Sequence, residues 1–332
     1  MNSLTTVAQL APALARFRCM PPQWATYHTS PESASRMLRC TPEDVVQLTE
    51  YGLTSMHTQE GLRFDYFDVM NVGRFSNTGV TVPELNALAL LRFSRQSRST
   101  WLGSQQWALT VRLPEDDRTG KYKVRLPDFE SSGITYVGGL LPWPIDGRIE
   151  LSSSYAVSVE IEGVYDPIRD PVVHDIYEDI FQHLRSGAVI YQAISEPLRT
   201  EHEQAWQLGM ADCMVTSRVL ADRLRAAGVQ SRARRGFILG LVGSEHAWCE
   251  VYEDSRWKSL DVTLAAMPTG LSGGSRLPSH DEFSSHCLGS RFNRCLPCVA
   301  EDASALMYDD RGQPLPMIGV VSATKERRHD AA

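Results

Sequence analysis

The chain has no long apolar run. Its most apolar stretch, Ile134 to Ile145, is 12 residues long and contains two prolines, against the roughly 20 apolar residues needed to cross a bilayer. A membrane-spanning helix is therefore not expected. No basic segment leads into an apolar one at the N-terminus, which argues against a secretory leader. Val7, Leu10, Leu14 and Phe17, with Arg16 and Arg18 beside them and Pro12 among them, read as a surface helix or frayed arm rather than a targeting segment. Basic excess is missing too: the net charge is −7, the wrong sign for a general nucleic-acid binder. There is no internal repeat and no low-complexity tract. The seven cysteines are an odd number without small-domain spacing, so reduced cytoplasmic thiols are expected, one of them free to react.

A metal framework is also wanting. Cys295 and Cys298 form a CxxC pair near Cys287, His280 and His286, but there is no second CxxC. A structural zinc needs four convergent ligands, so packed or exposed thiols are the expectation and no metal is assigned. Glu60, Asp65, Asp68 and the acids between Asp170 and Glu178 follow no cation-loop pattern and read as surface.

What is present is an ordinary globular composition: 42% apolar and 22% charged over 332 residues, enough for about two domains. The fold class expected is α+β, with an N-terminal helical and β-rich portion (1–165), a catalytic core (166–268) and a C-terminal extension with a disordered tail (269–332). Helices are announced by "TPEDVVQL" and "TVPELNALALLRF", each with a threonine ahead of a proline in the first turn. "WALTVRL", "YKVRL" and "YAVSVEIEG" alternate as strands do, and the segment around Asp116 to Gly120 looks like a hairpin loop. Asp166 to Pro171 reads as a linker. Beyond it Val173, Ile176, Tyr177, Ile180, Phe181 and Leu184 predict an amphipathic helix that stops at Ser186-Gly187.

The chemistry concentrates between Trp206 and Met267. "GMADCMVTSRVLADRLRAAGV" predicts a turn and then a helix that Cys213 opens. Unpaired N–H groups and the helix dipole favour an anion there, so a thiolate would be stabilised. Three strands follow: "SRARRGFIL", "HAWCEVY" and "WKSLDVT". Pairing Tyr252 with Trp257 across the hairpin puts Trp248 opposite Asp261. His246 and Asp261 then become diagonal neighbours on one sheet face, within side-chain reach, while Cys249 points the other way. The roles follow: Cys213 as nucleophile, His246 as base and then acid, Asp261 as orienter of the imidazole. The Cys213 N–H supplies half of an oxyanion hole, and Gln207 or Trp206, six and seven residues upstream, is a candidate for the other half.

These segments resemble the transglutaminase-like superfamily, in which a turn with Cys opens a helix and "LR..G..AR", "HAW.EVY" and "W...D.T" follow. The resemblance covers about 60 residues, with Ala211 standing where the family often has glycine. It implies a papain-like core, a Cys213–His246–Asp261 triad and acyl transfer through a cysteine thioester, with no cofactor. The acceptor stays open. Water would make the chain a cytoplasmic peptidase or amidase, an amine would make it an amide synthase, and an unused triad would make it a scaffold. The long N-terminal portion and an arginine cluster at 218, 223, 225, 232, 234 and 235 lean toward the amine. The general layout is similar to stand-alone homologues that form amides from carrier-bound acyl thioesters in polyketide and nonribosomal peptide biosynthesis. On that view Arg232, Arg234 and Arg235 would dock an acidic carrier protein, with alternation placing Arg235 on the other face from Arg232 and Arg234. Neither nucleic acid nor membrane is expected as a partner.

Overall fold

In a computed structural model, residues 4–111, 121–139, 147–151, 153–240, 245–270, 278–315 and 320–324 are described. Among them no helix is long and apolar enough to cross a membrane. Helix and sheet are mixed, and the buried apolar side chains fall into three clusters.

The first cluster belongs to the N-terminal helices. Thr41 caps Pro42–Gln47 and Thr81 caps Val82–Ser94, each hydroxyl accepting from a backbone N–H three residues on, as the two Thr-led patterns predict. The N-terminal segment is not a frayed arm. It folds as a short α-turn, Val7–Leu10, continued by the 3-10 turn Ala11–Ala15, with Pro12 in the first turn of the second. Val7, Leu10 and Phe17 are buried with Leu38, Val45, Leu48 and Phe64. A proline that would break one long helix is harmless where a new one begins.

The second cluster fills the space enclosed by two four-stranded antiparallel sheets. One runs 320–324, 105–111, 155–161, 134–139, and the other 314–315, 307–308, 122–125, 148–151. Two expectations change here. Strands 105–111 and 122–125 are not partners, since each pairs elsewhere, and the loop read as their hairpin lies outside the described residues. The segment beyond 269 is not an appendage either: its strands complete both sheets, and Cys295–Pro297 adds an edge to the catalytic sheet. Alternation says that a segment is a strand; the partner is chosen by long-range packing.

The third cluster belongs to the segment that carries Cys213, His246 and Asp261. Helix Cys213–Ala226 packs on an antiparallel sheet ordered 256–260, 245–253, 231–238, 295–297. The amphipathic helix Pro171–Ser186 buries Val173, Tyr177, Ile180, Phe181 and Leu184, and Gly187 ends it at φ 75°. Asp166 to Pro171 is no loose linker: Asp166 pairs with Arg256 and Lys258, and Glu253 accepts from the N–H groups of Arg169 and Asp170.

Candidate active site

The hairpin register is the one the sequence predicts. Tyr252 faces Trp257 and Cys249 faces Leu260, with Asp254 and Ser255 at φ 53° and 62° forming a two-residue turn, the positive-φ pair that matches strand twist. His246 and Asp261 meet: His246 Nε2 lies 2.6 Å from Asp261 Oδ2. The other carboxylate oxygen, Oδ1, accepts the Leu264 N–H at 2.9 Å, and Tyr177 Oη donates to the Asp261 carbonyl at 3.4 Å. With Nε2 committed to the carboxylate, Nδ1 is the ring nitrogen left for the nearby thiol of Cys213, whose Sγ lies 3.2 Å from Met214 Sδ. Burial opposes charge on this imidazole, but the Asp261 carboxylate, its hydrogen bond to the ring and the nearby Cys213 outweigh it and raise the His246 pKa well above its ordinary value.

Cys213 opens its helix behind the N-cap Asp212. The Asp212 Oδ1 accepts from the N–H groups of Met214 and Val215, at 3.0 and 3.1 Å, so these helix-end donors are already taken. Arg199 Nε in turn holds Asp212 Oδ2 at 2.5 Å. The charge that a thiolate would meet therefore comes chiefly from the His246 imidazolium. The N–H of Cys213 itself keeps no acceptor among the described residues and remains available to an oxyanion. Cys213 is 6% exposed, and His246 and Asp261 are 4% each, so bulk water hardly reaches the three. Cys249 lies on the far face, fully buried, with burial raising its thiol pKa.

Other predicted positions fall elsewhere. The Trp206 ring packs against His183 and under the Arg223 guanidinium, 5.3 Å from its centroid. Arg223 lies ten residues beyond Cys213 on the helix, about 15 Å along the axis. Trp206 therefore serves the wrong end of the helix to donate to an oxyanion, and Gln207 is exposed. Counting upstream failed because the chain between 196 and 207 is spent on two short helices, Glu196–Thr200 and His202–Gln207.

The residue that approaches is Tyr191. Its two-residue strand pairs in parallel with Met210–Ala211, placing Tyr191 beside Ala211, two positions before Cys213. Burial, then the nearby Cys213, raises the pKa of its phenol, so the hydroxyl stays protonated. No protein acceptor takes that hydroxyl among the described residues. The only local signal for it is an apolar run ending in tyrosine, "AVIY", between a glycine stop and the next helix.

Two of the three arginines expected to dock a partner, Arg234 and Arg235, are buried. Arg235 is fully buried, bridging Glu196 (2.6 Å) and Glu245 (2.9 Å). Arg199 joins Glu196 to Asp212, so a charge network runs beneath the nucleophile helix. Burial pushes the Glu196 carboxyl up, yet Arg235 and Arg199 overcome it and hold the pKa at about 2. Arg234 is buried against Asp128 at 2.6 Å, and Arg232 pairs with Glu250 and covers Trp257 at 3.9 Å. Alternation is correct here, but at Arg234 and Arg235 both faces of the strand are covered, while Arg232 keeps some exposure. The side-chain pattern alone reads such a strand as half exposed.

Among the described residues no metal set converges on the thiols. Cys295 packs in the catalytic core and Cys298 in the β-sheet core, and His286 stacks on Trp101 and Tyr165. Among the described residues one group, His202, Glu203 and Asp222, brings ligand atoms within 4.8 Å, and Asp222 is already shared with Arg225.

Residues 161–262 match the model of the transglutaminase-like superfamily, an interval that contains Cys213, His246 and Asp261. The chain carries a transglutaminase-like domain. Such a domain implies a cysteine-dependent enzyme of papain-like type. No curated protein matches the chain significantly. Among solved structures, it resembles a candidate cysteine protease from Cytophaga hutchinsonii at 10% identity over 68% of this chain and 92% of that one, with a TM-score of 0.39. A second, a TGase, is 13% identical over 49% of this chain and 54% of that one, with a TM-score of 0.21. Similarities this loose decide nothing about activity.

Proposed function

We propose that the transglutaminase-like domain forms an acyl thioester on Cys213 and passes the acyl group to an amine. The observation that carries this is the arrangement of the imidazole, with Nε2 held by Asp261 at 2.6 Å and Nδ1 left for the sulfur. Cys213 attacks the donor carbonyl as its thiolate. His246, having taken the thiol proton, returns it to the leaving group. The amine then attacks the thioester, His246 accepts the amine's proton, and the thiolate departs. Asp261 holds the ring in the required tautomer and stabilises its charged form. The Cys213 N–H and the protonated Tyr191 hydroxyl serve the tetrahedral oxyanion.

The near-closure of the triad to solvent favours an amine over water as acceptor, because a thioester shielded from water survives until an amine arrives. An acidic carrier protein remains a possible donor only if it docks elsewhere than on Arg234 and Arg235, which are buried. Intact-protein mass spectrometry with simple acyl thioesters tests the whole reading. Wild type and Cys249→Ser should gain the acyl mass and lose it to an added amine as the amide. Cys213→Ser should gain nothing while remaining folded. Release of free acid at a rate that amine does not change would make the enzyme a hydrolase.

A further inference from the structure

A carboxylate stands directly before Cys213. Asp212 is the N-cap of helix Cys213–Ala226, and its Oδ1 accepts the Met214 and Val215 N–H groups at 3.0 and 3.1 Å. Its Oδ2 accepts from Arg199 Nε at 2.5 Å. Donors approach both oxygens, the pattern of an ionised carboxylate. At most helix starts such a charge is favourable. Here it belongs to the neighbour of Cys213, on Cα atoms about 3.8 Å apart, and the two residues are only 5% and 6% exposed. Two negative charges held this close and away from water repel strongly. An uncompensated Asp212 would therefore oppose a thiolate on Cys213.

Arg199 supplies the compensation. Its side chain is largely buried and bridges Asp212 to Glu196, whose Oε2 lies 2.8 Å from Arg199 Nη1. The Arg199 carbonyl is fixed as well, accepting from Arg218 Nη1 at 2.9 Å. Glu196 is held from its other side by Arg235, with Oε1 2.6 Å from Nη1 and Oε2 3.0 Å from Nη2. Arg235 Nη2 then reaches Glu245 Oε2 at 2.9 Å, and Glu245 immediately precedes His246. The row Asp212, Arg199, Glu196, Arg235, Glu245 alternates in sign from one end to the other. One end adjoins Cys213 and the other adjoins His246. A serine would cap the same N–H groups without charge, and a buried ion pair adds little stability over apolar packing. Capping and stability alone thus do not account for this row.

We propose that Arg199 is a positioning residue that acts through Asp212, cancelling the charge of the cap so that the helix start tolerates a thiolate on Cys213. This rests on Cys213 being the nucleophile. The Arg235–Glu245 end anchors Glu196 and so keeps Arg199 in place. Around the same helix start stand His246 and Asp261 on the sheet, with Tyr177, Cys287 and Cys295 near that pair. Tyr191, with Arg74 over its ring, lies beside Ala211. These groups stay the same in every variant below, so a change in pH dependence reports the Arg199–Asp212 pair.

The pH–rate profile of Cys213 alkylation by iodoacetamide tests this in the full chain, the site being verified by peptide mapping. The reagent is neutral, so its own charge does not enter. Arg199→Gln should move the acid limb up by about one pH unit, a roughly tenfold slower reaction at a given pH on that limb. The plateau at higher pH should stay where it is. Arg199→Lys should keep most of the wild-type profile, because the charge remains. Asp212→Ser keeps a capping oxygen and removes the carboxylate, so its limb should move the other way, to lower pH. Arg199→Gln combined with Asp212→Ser should return the limb toward its wild-type position, since neither charge is left. A role in folding alone predicts instead a lowered plateau and a double variant worse than either single one. An unmoved limb in Arg199→Gln, or a double variant displaced as far as Arg199→Gln, overturns the proposal and leaves the thiol chemistry intact. If Arg199→Gln fails to fold, a limb in Asp212→Ser that stays put or moves to higher pH overturns it instead. Failure of iodoacetamide to label Cys213 in wild type would sink the nucleophile assignment and the proposal together.

Discussion

The catalytic core and the N-terminal module contribute to the same site in opposite ways. In the core, position follows from local pattern: a cap places Cys213, and a two-residue turn aligns His246 with Asp261. The module contributes no member of the triad and nothing a motif would mark. Asn71, Arg74 and Arg18 come from different stretches of chain and all meet the core at residues 191–193. The lesson is that the pairing of His246 with Asp261 is set by short-range geometry, whereas the hold on residues 191–193 comes from a docked neighbour. If that division is right, changes in the core should abolish chemistry and changes at the module should detune it.

The largest effect is expected from Asp261→Asn. It keeps the shape but removes the charge that holds the His246 proton, and turnover should fall about 10²- to 10⁴-fold. The alkaline limb of thiol alkylation should move to lower pH, because the imidazolium loses its partner. Stability gives an independent check. His246 has a folded pKa raised above an unfolded value near 6.5. The stabilisation is therefore fully present below about pH 6.5 and is lost as pH rises through the folded value. Urea titrations should show the gap between wild type and Asp261→Asn shrinking from pH 6 upward through that value. A constant gap would mean that the folded ring is not the charged one.

Next comes Arg235→Ala. It leaves Glu196 and Glu245 buried without their shared cation, at a cost of about 3–5 kcal/mol, read by chemical denaturation. A stable, fully active variant would restore the surface-patch view of these arginines. Asn71→Ala should cost about 1–3 kcal/mol through two lost hydrogen bonds to Ala193. It should also slow labelling of Cys213 as residues 191–193 loosen, whereas labelling at the wild-type rate would mean the module is only a lid on the fold. Smallest is Trp206→Phe, which loses about 0.5–1 kcal/mol of contact with Arg223 and should leave turnover unchanged. A large loss of kcat would reinstate it as an oxyanion donor.

Much of this was legible in advance because it depends on intervals of a few residues. The Asp212-Cys213 helix start, the Tyr252–Trp257 register, and the caps at Thr41, Thr81 and Gly187 each follow from neighbours in the chain. Where a partner lay far away, local reading misled. Strands 105–111 and 122–125 looked like one hairpin and belong to separate sheets. Trp206 looked near Cys213 because seven residues separate them, yet two short helices carry it to the other end of the nucleophile helix.

The sequence by itself determined the meeting of His246 and Asp261, since strand alternation and a tight turn leave them no other common face. Tertiary structure alone decided what surrounds it. Tyr191 reaches Ala211 across two intervening helices, and Arg74 reaches Tyr191 from more than a hundred residues away. The arginines at 234 and 235 changed from a presumed surface to a buried network because Asp128, Glu196 and Glu245 fold onto them. Local pattern records which way a side chain points, and only the packing of distant segments determines whether it meets water, an acid or an aromatic face.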